Sequence, residues 1–526
     1  MTRPAPSKWT VAASIAFGSL MATIDSSIVN VAMPQIRGEL GATIQEITWI
    51  STAYMVAMVL IMPLTGFLGS FFGQKRVYLA SLVIFVIGSA LCGTARSLEM
   101  LIVWRILQGL GGGALQPTQQ AILRQTFPPE EQGMAMALFA MVIMVGPAVG
   151  PVLGGWITDN LSWPWIFYIN LPVGALGIFL TWRNVHEPDD IRAAMRKRAE
   201  VLRRNLDWAG IALLAVTIGA LQYVLEEGAA EDWFASQTIV YTTFVAVVAL
   251  IAFVIRELTA TAPVVNLRLF RDATFASGTI VGAVMFAMLM GSMFLLPVFM
   301  QELMHFPATL SGLELLPRTL AMMVASPFVG RLYNRVPPAA IVATGVGLFA
   351  VGSWQLSHIT LATSTAQLIP ALAITGVAFA CLFVPLTTAA LGHVARHELA
   401  DAAGLNAFIR QVGGSIGLAV FATLFTRYGF EARAALSWEV SPLRPEVAAA
   451  FGAAKAQVVA AGVDPTLAGT VATKMLAGRT ALQGTVIGFE KLFLLQGVAF
   501  LCVMPLLLFL RVDRRSAAAP VELAAE

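Results

Sequence analysis

Residues 141–156 read MVIMVGPAVGPVLGGW, and this stretch decides the kind of fold that the chain adopts. Three glycines recur at every fourth position of an apolar run and two prolines repeat on the neighbouring stripe: Gly146, Gly150 and Gly154, with Pro147 and Pro151. Residues four apart share a helix face, so the stretch predicts a helix with a glycine ridge beside two proline kinks. In water two interior prolines would disfavour the helix, whereas in a bilayer neighbouring helices can satisfy the freed carbonyls. The stretch therefore favours a membrane helix, which serves either for packing alone or in a transport mechanism.

The composition also places the chain in a lipid bilayer. Hydrophobic residues make up 58% of its 526 residues and charged residues 12%, with a mean hydropathy of +0.78. Charged residues make up about a quarter of a soluble globular protein. The net charge of +3 is spread along the loops, which gives no case for nucleic-acid binding. Cys92, Cys381 and Cys502 lie in apolar segments without a metal-ligand or disulfide pattern, so we expect them to be packing residues and expect no metal site.

Apolar runs long enough to cross a membrane, about 20 residues for about 30 Å of hydrocarbon, recur along the whole chain. They predict fourteen transmembrane helices, at residues 9–33, 46–68, 77–95, 98–122, 133–157, 165–183, 207–226, 237–256, 272–300, 309–332, 338–358, 368–391, 404–427 and 486–510. The first run follows Arg3 and Lys8, as a signal peptide would, but it is too long and lacks an A-x-A cleavage site. We interpret it as an uncleaved first helix.

The orientation follows from the basic residues in short loops, because loops rich in Lys and Arg face the cytoplasm. The loops that alternate in this way contain Lys75, Arg76, Arg124, Arg183, Arg192, Arg196, Lys197, Arg198, Arg203, Arg204, Arg331 and Arg335, and the residues after the last helix include Arg511, Arg514 and Arg515. Both termini are therefore predicted to be cytoplasmic.

A weak internal repeat divides the chain. GFLGSFFGQKR at 66–76 closes the second predicted helix, and GRLYNRV at 330–336 closes the tenth in a similar way. This similarity predicts two equivalent six-helix bundles with two helices inserted between them. The predicted parts are an N-terminal bundle (1–185), a basic cytoplasmic loop (186–206), two inserted helices (207–258), a C-terminal bundle (259–515) with a periplasmic loop (428–485), and a cytoplasmic tail (516–526).

Six stretches in this order resemble the fourteen-helix drug/proton antiporter branch, EmrB/QacA type, of the major facilitator superfamily. They are IDSSIVNVAMP (24–34), GFLGSFFGQKR (66–76), RILQGLGGG (105–113), GPAVGPVLGGW (146–156), WPWIFYINLPVG (163–174) and FVPLTT (383–388). The resemblance covers nearly the whole chain. It implies an all-α polytopic membrane protein with the major facilitator fold and fourteen transmembrane helices, driven by the proton gradient and without a cofactor.

The loop after the second helix departs from the family pattern. The resemblance assigns a gating role at the cytoplasmic surface to Gly66, Gly73, Lys75 and Arg76. Ser70, however, stands where the family usually has aspartate, and Gln74 stands where it usually has arginine. Any charged latch that other members form through this loop is therefore in question here.

The chemistry of such a chain depends on the few ionisable groups at membrane depth. Asp25 in the first helix and Arg105 in the fourth lie at similar distances from the outer ends of helices that run in opposite directions, so they can meet. A lone charge at mid-bilayer costs about 2.5 to 3.5 kcal/mol on the insertion scale, and opposite charges in contact relieve this cost. One interpretation is a purely structural ion pair.

The other interpretation is that Asp25 carries the proton. Burial favours the neutral acid and a nearby arginine favours the carboxylate, so a small change in their separation decides whether the proton is held. The resemblance supports this interpretation, because the family places an acidic residue of the first helix and the arginine of R-x-x-Q-G in the coupling mechanism. Protonation would then weaken the attraction between Asp25 and Arg105 and permit a conformational switch.

Other polar residues in the apolar segments are candidates for the substrate cavity. A polar stripe on the fourth helix contains Gln108, Gln116 and Gln119. For Gln116 and Gln119, interhelical hydrogen bonding is an equally good interpretation. The predicted cavity residues are Asn30, Gln108, Gln116, Glu314 and Arg410. Glu314 and Arg318 lie four apart on the tenth helix and can instead satisfy one another.

Other classes of function explain the sequence less well. No G-x-x-x-x-G-K-[S/T] run is present, which argues against an ATP-driven pump, and the histidines are too scattered for a membrane-embedded transferase. An exporter or symporter of one metabolite remains open, since a symporter can use Asp25 in the opposite direction. The sequence therefore favours a non-enzymatic, proton-coupled multidrug efflux transporter of lipophilic or amphipathic compounds that works by alternating access.

The resemblance gives the glycine ridge its role in export. It assigns close packing against the second bundle, which prevents uncoupled leak, to Gly146, Pro147, Gly150, Pro151, Gly154 and Gly155. We expect the partner to be the tenth helix, around Ala321 and Ala325.

The segment from 428 to 485 is rich in alanine and carries charges of both signs. It predicts one or two short amphipathic helices on the outer surface, or a solvated linker. Relatives of this type in double-membrane bacteria work in the inner membrane with a periplasmic adaptor protein and an outer-membrane channel. By analogy, this segment is the expected contact with an adaptor.

Overall fold

The computed structural model of the chain describes residues 7–187, 192, 207–261, 263–392, 394–441 and 444–510. Helices dominate these residues, and no β-strand occurs within them. The predicted cytoplasmic tail at 516–526 lies outside this part of the chain. The predicted basic loop at 186–206 does too, apart from residues 186, 187 and 192.

The first half of the chain forms a bundle of eight helical segments. They are α1 (Lys8–Leu40), α2 (Ile44–Ile61), α3 (Thr65–Phe72), α4 (Gln74–Gly93), α5 (Leu98–Thr126), α6 (Gln132–Asn160), α7 (Trp165–Tyr168) and α8 (Asn170–Asn184). Ser7 and Ser97 cap the first turns of α1 and α5 by accepting a backbone N–H, and Gly41 ends α1 in the left-handed conformation that glycine adopts most easily. Pro63 lies in the break between α2 and α3, which meet at 56°.

Two inserted helices follow, α9 (Trp208–Glu227) and α10 (Gln237–Thr259). The second bundle contains α11 (Ala273–Val298), which continues into a π-helical turn at Phe299–Leu303, then α12 (Ala308–Glu314), α13 (Leu316–Leu332), α14 (Pro338–Leu356), α15 (Thr365–Ala390), α16 (Leu399–Glu439), α17 (Pro445–Ala460) and α18 (Pro465–Leu501). In the first bundle α1 packs against α6 and α4 against α5. In the second, α11 packs against α16 and α14 against α15 in the same pattern.

The predicted number of fourteen membrane helices is not confirmed. Twelve of the described helices are long and apolar enough to cross a membrane, and the bent pair α2 and α3 raises this number to thirteen when it is counted as one span. The tenth predicted helix, 309–332, is divided at Leu315 into α12 and α13, and α13 has only 17 residues. Pro317 is the one residue near this break that could have indicated it from the sequence.

The two ends of the helical bundles form an inner face and an outer face. The inner face contains Gly73, Thr126 and Leu399, and the outer face contains Leu40 and Asn160. Beyond the outer face, α16 and α18 continue as long helices, and α17 lies beside α18. The predicted outer segment of short helices is therefore one short helix between two extensions of membrane helices, which we call the outer projection (residues 428–485).

The glycine ridge of α6 packs against α1, so the expected partner, the tenth predicted helix, was wrong. A Cβ atom added at Gly146 would lie 2.5 Å from the carbonyl carbon of Thr23, and one at Gly150 would lie 2.5 Å from Cβ of Ser27. Both glycines, like Gly154, are buried, so that α6 and α1 approach backbone to backbone. Small side chains on α1 complete this fit from the other side.

Pro151 of the same stretch faces a different neighbour. Cβ of Pro151 lies 3.0 Å from the position of a Cβ at Gly312 in α12 of the second bundle. Closer to the inner face, a Cβ at Gly133 would lie 2.5 Å from the carbonyl oxygen of Gly330 in α13. Because glycines and prolines occupy adjacent stripes of α6, one stripe faces α1 and the other faces the second bundle. Ala321 instead lies against Gly376 of α15.

The inserted helices are attached to both bundles. Nε2 of Gln222 in α9 donates to Oγ of Ser415 in α16 at 2.9 Å, and both side chains are buried. On the other side, the ring of Tyr223 lies 6.0 Å from that of Trp49 in α2. The pair α9 and α10 therefore covers the side of the molecule where α2 and α16 are neighbours.

An ion pair holds α9 and α10 together at the inner face. Oδ1 of Asp207 accepts the N–H of Gly210 and so caps α9, and Oδ2 lies 2.9 Å from Nε of Arg256. Burial on its own would raise the pKa of Asp207, but the hydrogen bonds from Arg256 and Gly210 and the charge of Arg256 outweigh it, so this pKa is lowered. The carboxylate thus stays charged and keeps the start of α9 in place.

Candidate functional site

Asp25 lies near the middle of α1 and is fully buried. It faces the interior of the first bundle, where α5 brings Arg105 and Gln108 and the start of α8 brings Asn170. Arg105 and Gln108 are one turn apart on α5, so both can reach the same carboxylate. We call Asp25, Arg105, Gln108, Asn170 and Ser89 the Asp25 cluster; none of these residues is more than 2% exposed.

The carboxylate of Asp25 receives three hydrogen bonds. Oδ2 accepts Nη1 of Arg105 at 2.7 Å. Oδ1 accepts Nε2 of Gln108 and Nδ2 of Asn170, each at 2.8 Å. Three donors with good distances, one of them cationic, are what an ionised carboxylate needs when no water can reach it.

Arg105 is held by more than its acidic partner. Its Nε donates to the carbonyl oxygen of Ile50 in α2 at 3.2 Å, and its Nη1 also donates to Oε1 of Gln108 at 2.7 Å. The guanidinium carbon lies 4.0 Å from the ring centroid of Tyr54, close enough for a cation–π interaction. Arg105 is thus positioned by α2 and α5 whether or not Asp25 is charged.

The chemistry available to the cluster is the uptake and release of one proton. A proton on Asp25 would remove the charge that Arg105 and the two amides stabilise, and it would turn one acceptor oxygen into a donor. The hydrogen bonds that Gln108 and Asn170 donate to Asp25 would then be weaker, because the neutral acid is a poorer acceptor than the carboxylate. This weakening favours a rearrangement of α1, α5 and α8. Through these bonds, a proton on Asp25 would change the contacts among the three helices α1, α5 and α8.

Three residues of this site were not identified from the sequence. Asn170 lies in the stretch 163–174, which was quoted for its resemblance to the family. Nothing in the sequence showed that its amide would point toward α1. Ser89 links Asn170 to α4, because its Oγ accepts Nδ2 of Asn170 at 3.0 Å and donates to the carbonyl oxygen of Phe167 at 2.8 Å. Tyr54 gave no signal, because an aromatic residue in an apolar helix is usually an ordinary packing residue.

A second site closes the inner face between the bundles. Arg124, at the end of α5, is 4% exposed and donates from Nη2 to the carbonyl oxygen of Leu391 and from Nη1 to that of Thr388 at 3.4 Å. These carbonyls belong to the last turn of α15 in the second bundle, where helical carbonyls lack partners and the helix dipole is negative. Arg124 therefore caps a helix of the opposite bundle, a role that its position as a loop arginine did not reveal.

The predicted gating loop contributes to the same closure through glycine. A Cβ atom added at Gly66 would lie 2.5 Å from Cα of Asp401 at the start of α16, so only glycine permits this approach. Ser70, at the usual aspartate position, donates to the carbonyl of Gly66 within its own helix. The acidic side chain at this contact, that of Asp401, thus comes from the second bundle.

The remaining residues of that loop attach it to the end of the first bundle. Gly73 has a positive φ of 90°, which glycine adopts without strain, and it ends α3. The backbone N–H of Lys75 donates to Oε1 of Glu187 at 2.8 Å, and Nζ of Lys75 donates to the carbonyl oxygen of Trp182 at 2.8 Å. Arg76 is exposed. The loop is therefore fixed to the segment that follows α8.

Loss of the Arg124 cap is expected to open the inner face. A hydrogen bond to a charged group contributes about 1.5 to 3 kcal/mol, so Arg124→Gln should shift the closed-to-open equilibrium about tenfold or more toward open. The measurement is labelling of a cysteine placed at the buried contact residue Leu399 by a membrane-impermeant maleimide, in a Cys502→Ser background. Labelling should be faster in Arg124→Gln and unchanged in Arg76→Gln. Equal rates in all three proteins would remove Arg124 from the closure.

The residues predicted to line one substrate cavity are dispersed in this conformation. Gln108 belongs to the Asp25 cluster, and Gln116 is half-buried on α5. Asn30 is exposed in the outer half of α1, where its Oδ1 accepts Oγ of Ser51 at 3.2 Å. Among the described residues, no hydrogen bond or ion pair joins any two of the five predicted cavity residues. The polar stripe on α5 thus faces partly into the first bundle, because different residues along one face of a long helix contact different neighbouring helices.

The two predicted cavity residues of the second bundle also differ from expectation. Arg410 is 4% exposed, and its guanidinium carbon lies 4.9 Å from the ring centroid of Phe383 and 5.7 Å from that of Phe286. Glu314 is half-buried at the end of α12 and makes no ion pair with Arg318 in the described residues. The break at Leu315 changes the helical register between them, which is why the expected pair of residues four apart does not form.

Comparison with known proteins places the chain among membrane transporters. The family model of the Major Facilitator Superfamily matches residues 15–418. The multidrug export protein EmrB of Haemophilus influenzae is 35% identical over 94% of this chain and 94% of its own length. EmrB of Escherichia coli is 33% identical over 95% and 94%. The fatty acid resistance protein FarB of Neisseria gonorrhoeae is 32% identical over 94% of each chain.

A solved structure shares the fold. The crystal structure of the human organic anion transporter MFSD10 (TETRAN) superposes with a TM-score of 0.61, over 95% of this chain and 100% of the other, at 15% identity. At this identity the likeness concerns the arrangement of helices alone.

Proposed function

Because this chain belongs to the major facilitator superfamily, in its EmrB-type drug-exporting branch, we propose that it exports lipophilic or amphipathic compounds in exchange for protons. A multidrug efflux transporter of this superfamily is what the similarity to EmrB over nearly the full length supports. Two parts of the proposal depend on the Asp25 cluster: that the driving ion is a proton, and that Asp25 carries it. No cofactor takes part in this mechanism.

The dry, fully bonded Asp25 cluster carries the proposal. A carboxylate at the middle of a membrane helix is costly unless it is paired, and this one is paired with an arginine and two amides. In this conformation neither face gives water access to Asp25, which is 0% exposed. A carrier that is closed off while the inner face is shut cannot leak its proton across the membrane.

Alternating access supplies the remaining step. In the inward-open conformation the compound enters its site from the inner side, after the bundles have moved apart at the Arg124 and Gly66 contacts. Protonation of Asp25 from outside weakens its bonds to α5 and α8 and favours that movement, and release of the proton inside restores them. Each cycle thus exchanges protons that move inward for a compound that moves outward.

The proposed location is the inner membrane of a bacterium, with the inner face and both termini in the cytoplasm. The support is the distribution of basic residues in the short loops, among which Arg124, Arg331 and Arg335 lie at or beside the inner face. The multi-pass membrane character itself follows from the family and the apolar helices.

The outer projection is the proposed contact with a periplasmic adaptor, which in turn would reach an outer-membrane channel. Large apolar side chains are exposed there outside the length that a bilayer needs: Trp438 is 86% exposed, Phe430 74% and Leu467 59%. Exposed aromatic residues of this size are typical of a protein or membrane contact. The expected partner surface is apolar, with a polar rim for the charged residues of the projection.

The test of the proposed function is a growth-inhibition panel. Cells with and without the expressed chain are exposed to lipophilic toxins that are cationic, acidic or neutral, and efflux of a fluorescent compound is followed in the same cells. The proposal expects resistance and efflux to at least one class, both abolished by an ionophore that collapses the proton gradient. Resistance that persists with the ionophore would contradict proton coupling, and no resistance to any class would contradict export.

A further inference from the structure

A group of buried donors without acceptors lies in the second bundle, away from the Asp25 cluster. Arg318 on α13 is 3% exposed, and of its guanidinium nitrogens only Nη2 has a partner, Oγ of Ser292 on α11 at 2.8 Å. Its Nε and Nη1 are buried and make no hydrogen bond. No ion pair reaches Arg318 from any described residue.

A second donor lies against the same turn of α11. Nε2 of Gln496 on α18 would lie 2.9 Å from a Cβ atom at Gly291, the residue before Ser292. This nitrogen is also buried and has no hydrogen-bond partner, and Gln496 is 1% exposed. Two helices of the second bundle, α13 and α18, therefore bring three buried nitrogens without hydrogen bonds close to the turn Gly291–Ser292 of α11, and no carboxylate of the described residues is bonded to them.

This arrangement differs from the other buried arginines of the chain. Arg105 has Asp25, Arg124 has two carbonyls, and the guanidinium of Arg410 lies over two phenylalanine rings. Among these four arginines, Arg318 is the one with two buried guanidinium nitrogens that make no hydrogen bond. A buried charge and buried donors without acceptors are destabilising, and an ionisable residue of this kind inside a membrane helix points to a functional site.

We propose that Arg318 and Gln496, at the turn Gly291–Ser292, bind the carboxylate headgroup of an amphipathic substrate. A carboxylate accepts several hydrogen bonds, matches the fork of an arginine with two oxygens and neutralises its charge. The surrounding side chains suit the hydrocarbon part, since Leu289, Leu295 and Met322 belong to the apolar core next to these residues. This inference rests on the proposed export function for its role and selects acidic amphiphiles among the compounds that function would cover.

The experiment compares an acid with its uncharged ester. The full chain is reconstituted in nanodiscs in chloride-free gluconate buffer, and dansylundecanoic acid and its methyl ester are titrated by fluorescence. The wild type should bind the acid more tightly than the ester. Arg318→Gln should lower the affinity for the acid by about tenfold or more and leave the ester unchanged, because only the acid loses a charged hydrogen-bond partner.

Two further variants keep the test decisive. Arg433→Gln changes an exposed arginine of the outer projection and should keep the wild-type ratio of acid to ester affinity. Gln496→Leu should lower the ratio by a smaller factor, and it carries the test if Arg318→Gln does not reach the membrane. A wild-type ratio in Arg318→Gln, or in Gln496→Leu when only that variant folds, would overturn the site.

Binding and export fail independently in this design. Acid binding that depends on Arg318 in a protein without proton-driven efflux would contradict the export proposal and leave the carboxylate site standing. Proton-driven efflux together with an unchanged ratio of affinities would contradict the site and leave export standing.

Discussion

Asp25→Asn should abolish proton-driven efflux while the protein still reaches the membrane. Asparagine has nearly the shape of aspartate and its Oδ1 can accept the bonds that Gln108 and Asn170 make to Asp25. It has no charge and cannot take up a proton at any pH. Vesicles that contain this variant should therefore export a fluorescent substrate no faster than vesicles without protein when a proton gradient is imposed.

The fold should survive this change because Arg105 has other partners. The carbonyl of Ile50, Oε1 of Gln108 and the ring of Tyr54 remain around its guanidinium. Loss of the ionic partner is destabilising, since a buried arginine then keeps its charge without a counter-ion, but a membrane-embedded bundle held by extensive helix packing is expected to tolerate it.

Counterflow separates coupling from binding in this variant. Vesicles preloaded with unlabelled compound should still exchange it for labelled compound without a proton gradient, because exchange requires the movement of the bundles but no net proton transfer. Asp159→Asn is the matched control, since Asp159 is exposed near the outer end of α6 and should behave as wild type. Proton-driven efflux by Asp25→Asn would remove Asp25 from the mechanism.

The sequence was sufficient for the parts of this site that depend on a single helix. Composition and apolar runs predicted a helical membrane protein, and the depth of Asp25 and Arg105 on helices of opposite direction indicated that they can meet. Depth along a helix follows from residue number, because the rise per residue is fixed. The rotation of each helix about its axis, which decides the neighbour of each face, does not.

The predictions that were wrong concern which neighbours a helix face contacts. The ridge of Gly146 and Gly150 was real, but whether it faced α1 or α13 depended on packing between helices far apart in the sequence. Glu314 and Arg318 had the spacing of an ion pair, and a break at Leu315 removed the regular helix that the argument required. Asn170 and Arg124 could be recognised in the sequence as polar residues, but their partners could not, because these lie 145 and 267 positions away along the chain.

The second large effect is expected from Gly146→Leu, which should block transport by separating α6 from α1. Any side chain at this position begins with a Cβ atom 2.4 Å from Cβ of Thr23 and 2.6 Å from its carbonyl oxygen, so backbone must move. Two rigid helices cannot absorb this locally, because the interior of a protein is close-packed. Thr23 lies two residues before Asp25, so a shift of α1 displaces the carboxylate from its three donors on α5 and α8. Efflux should fall to the level of Asp25→Asn.

A graded series and a matched glycine distinguish this packing effect from a general effect of side chains in membrane helices. Gly146→Ala adds only the Cβ atom and should impair efflux less than Gly146→Leu, whereas Gly347→Ala and Gly347→Leu should be neutral because no atom lies within 4 Å of a Cβ at Gly347 on α14. If Gly146→Leu transports as well as Gly347→Leu, close contact between the two helices is not required, and the position of Asp25 does not depend on the glycine ridge.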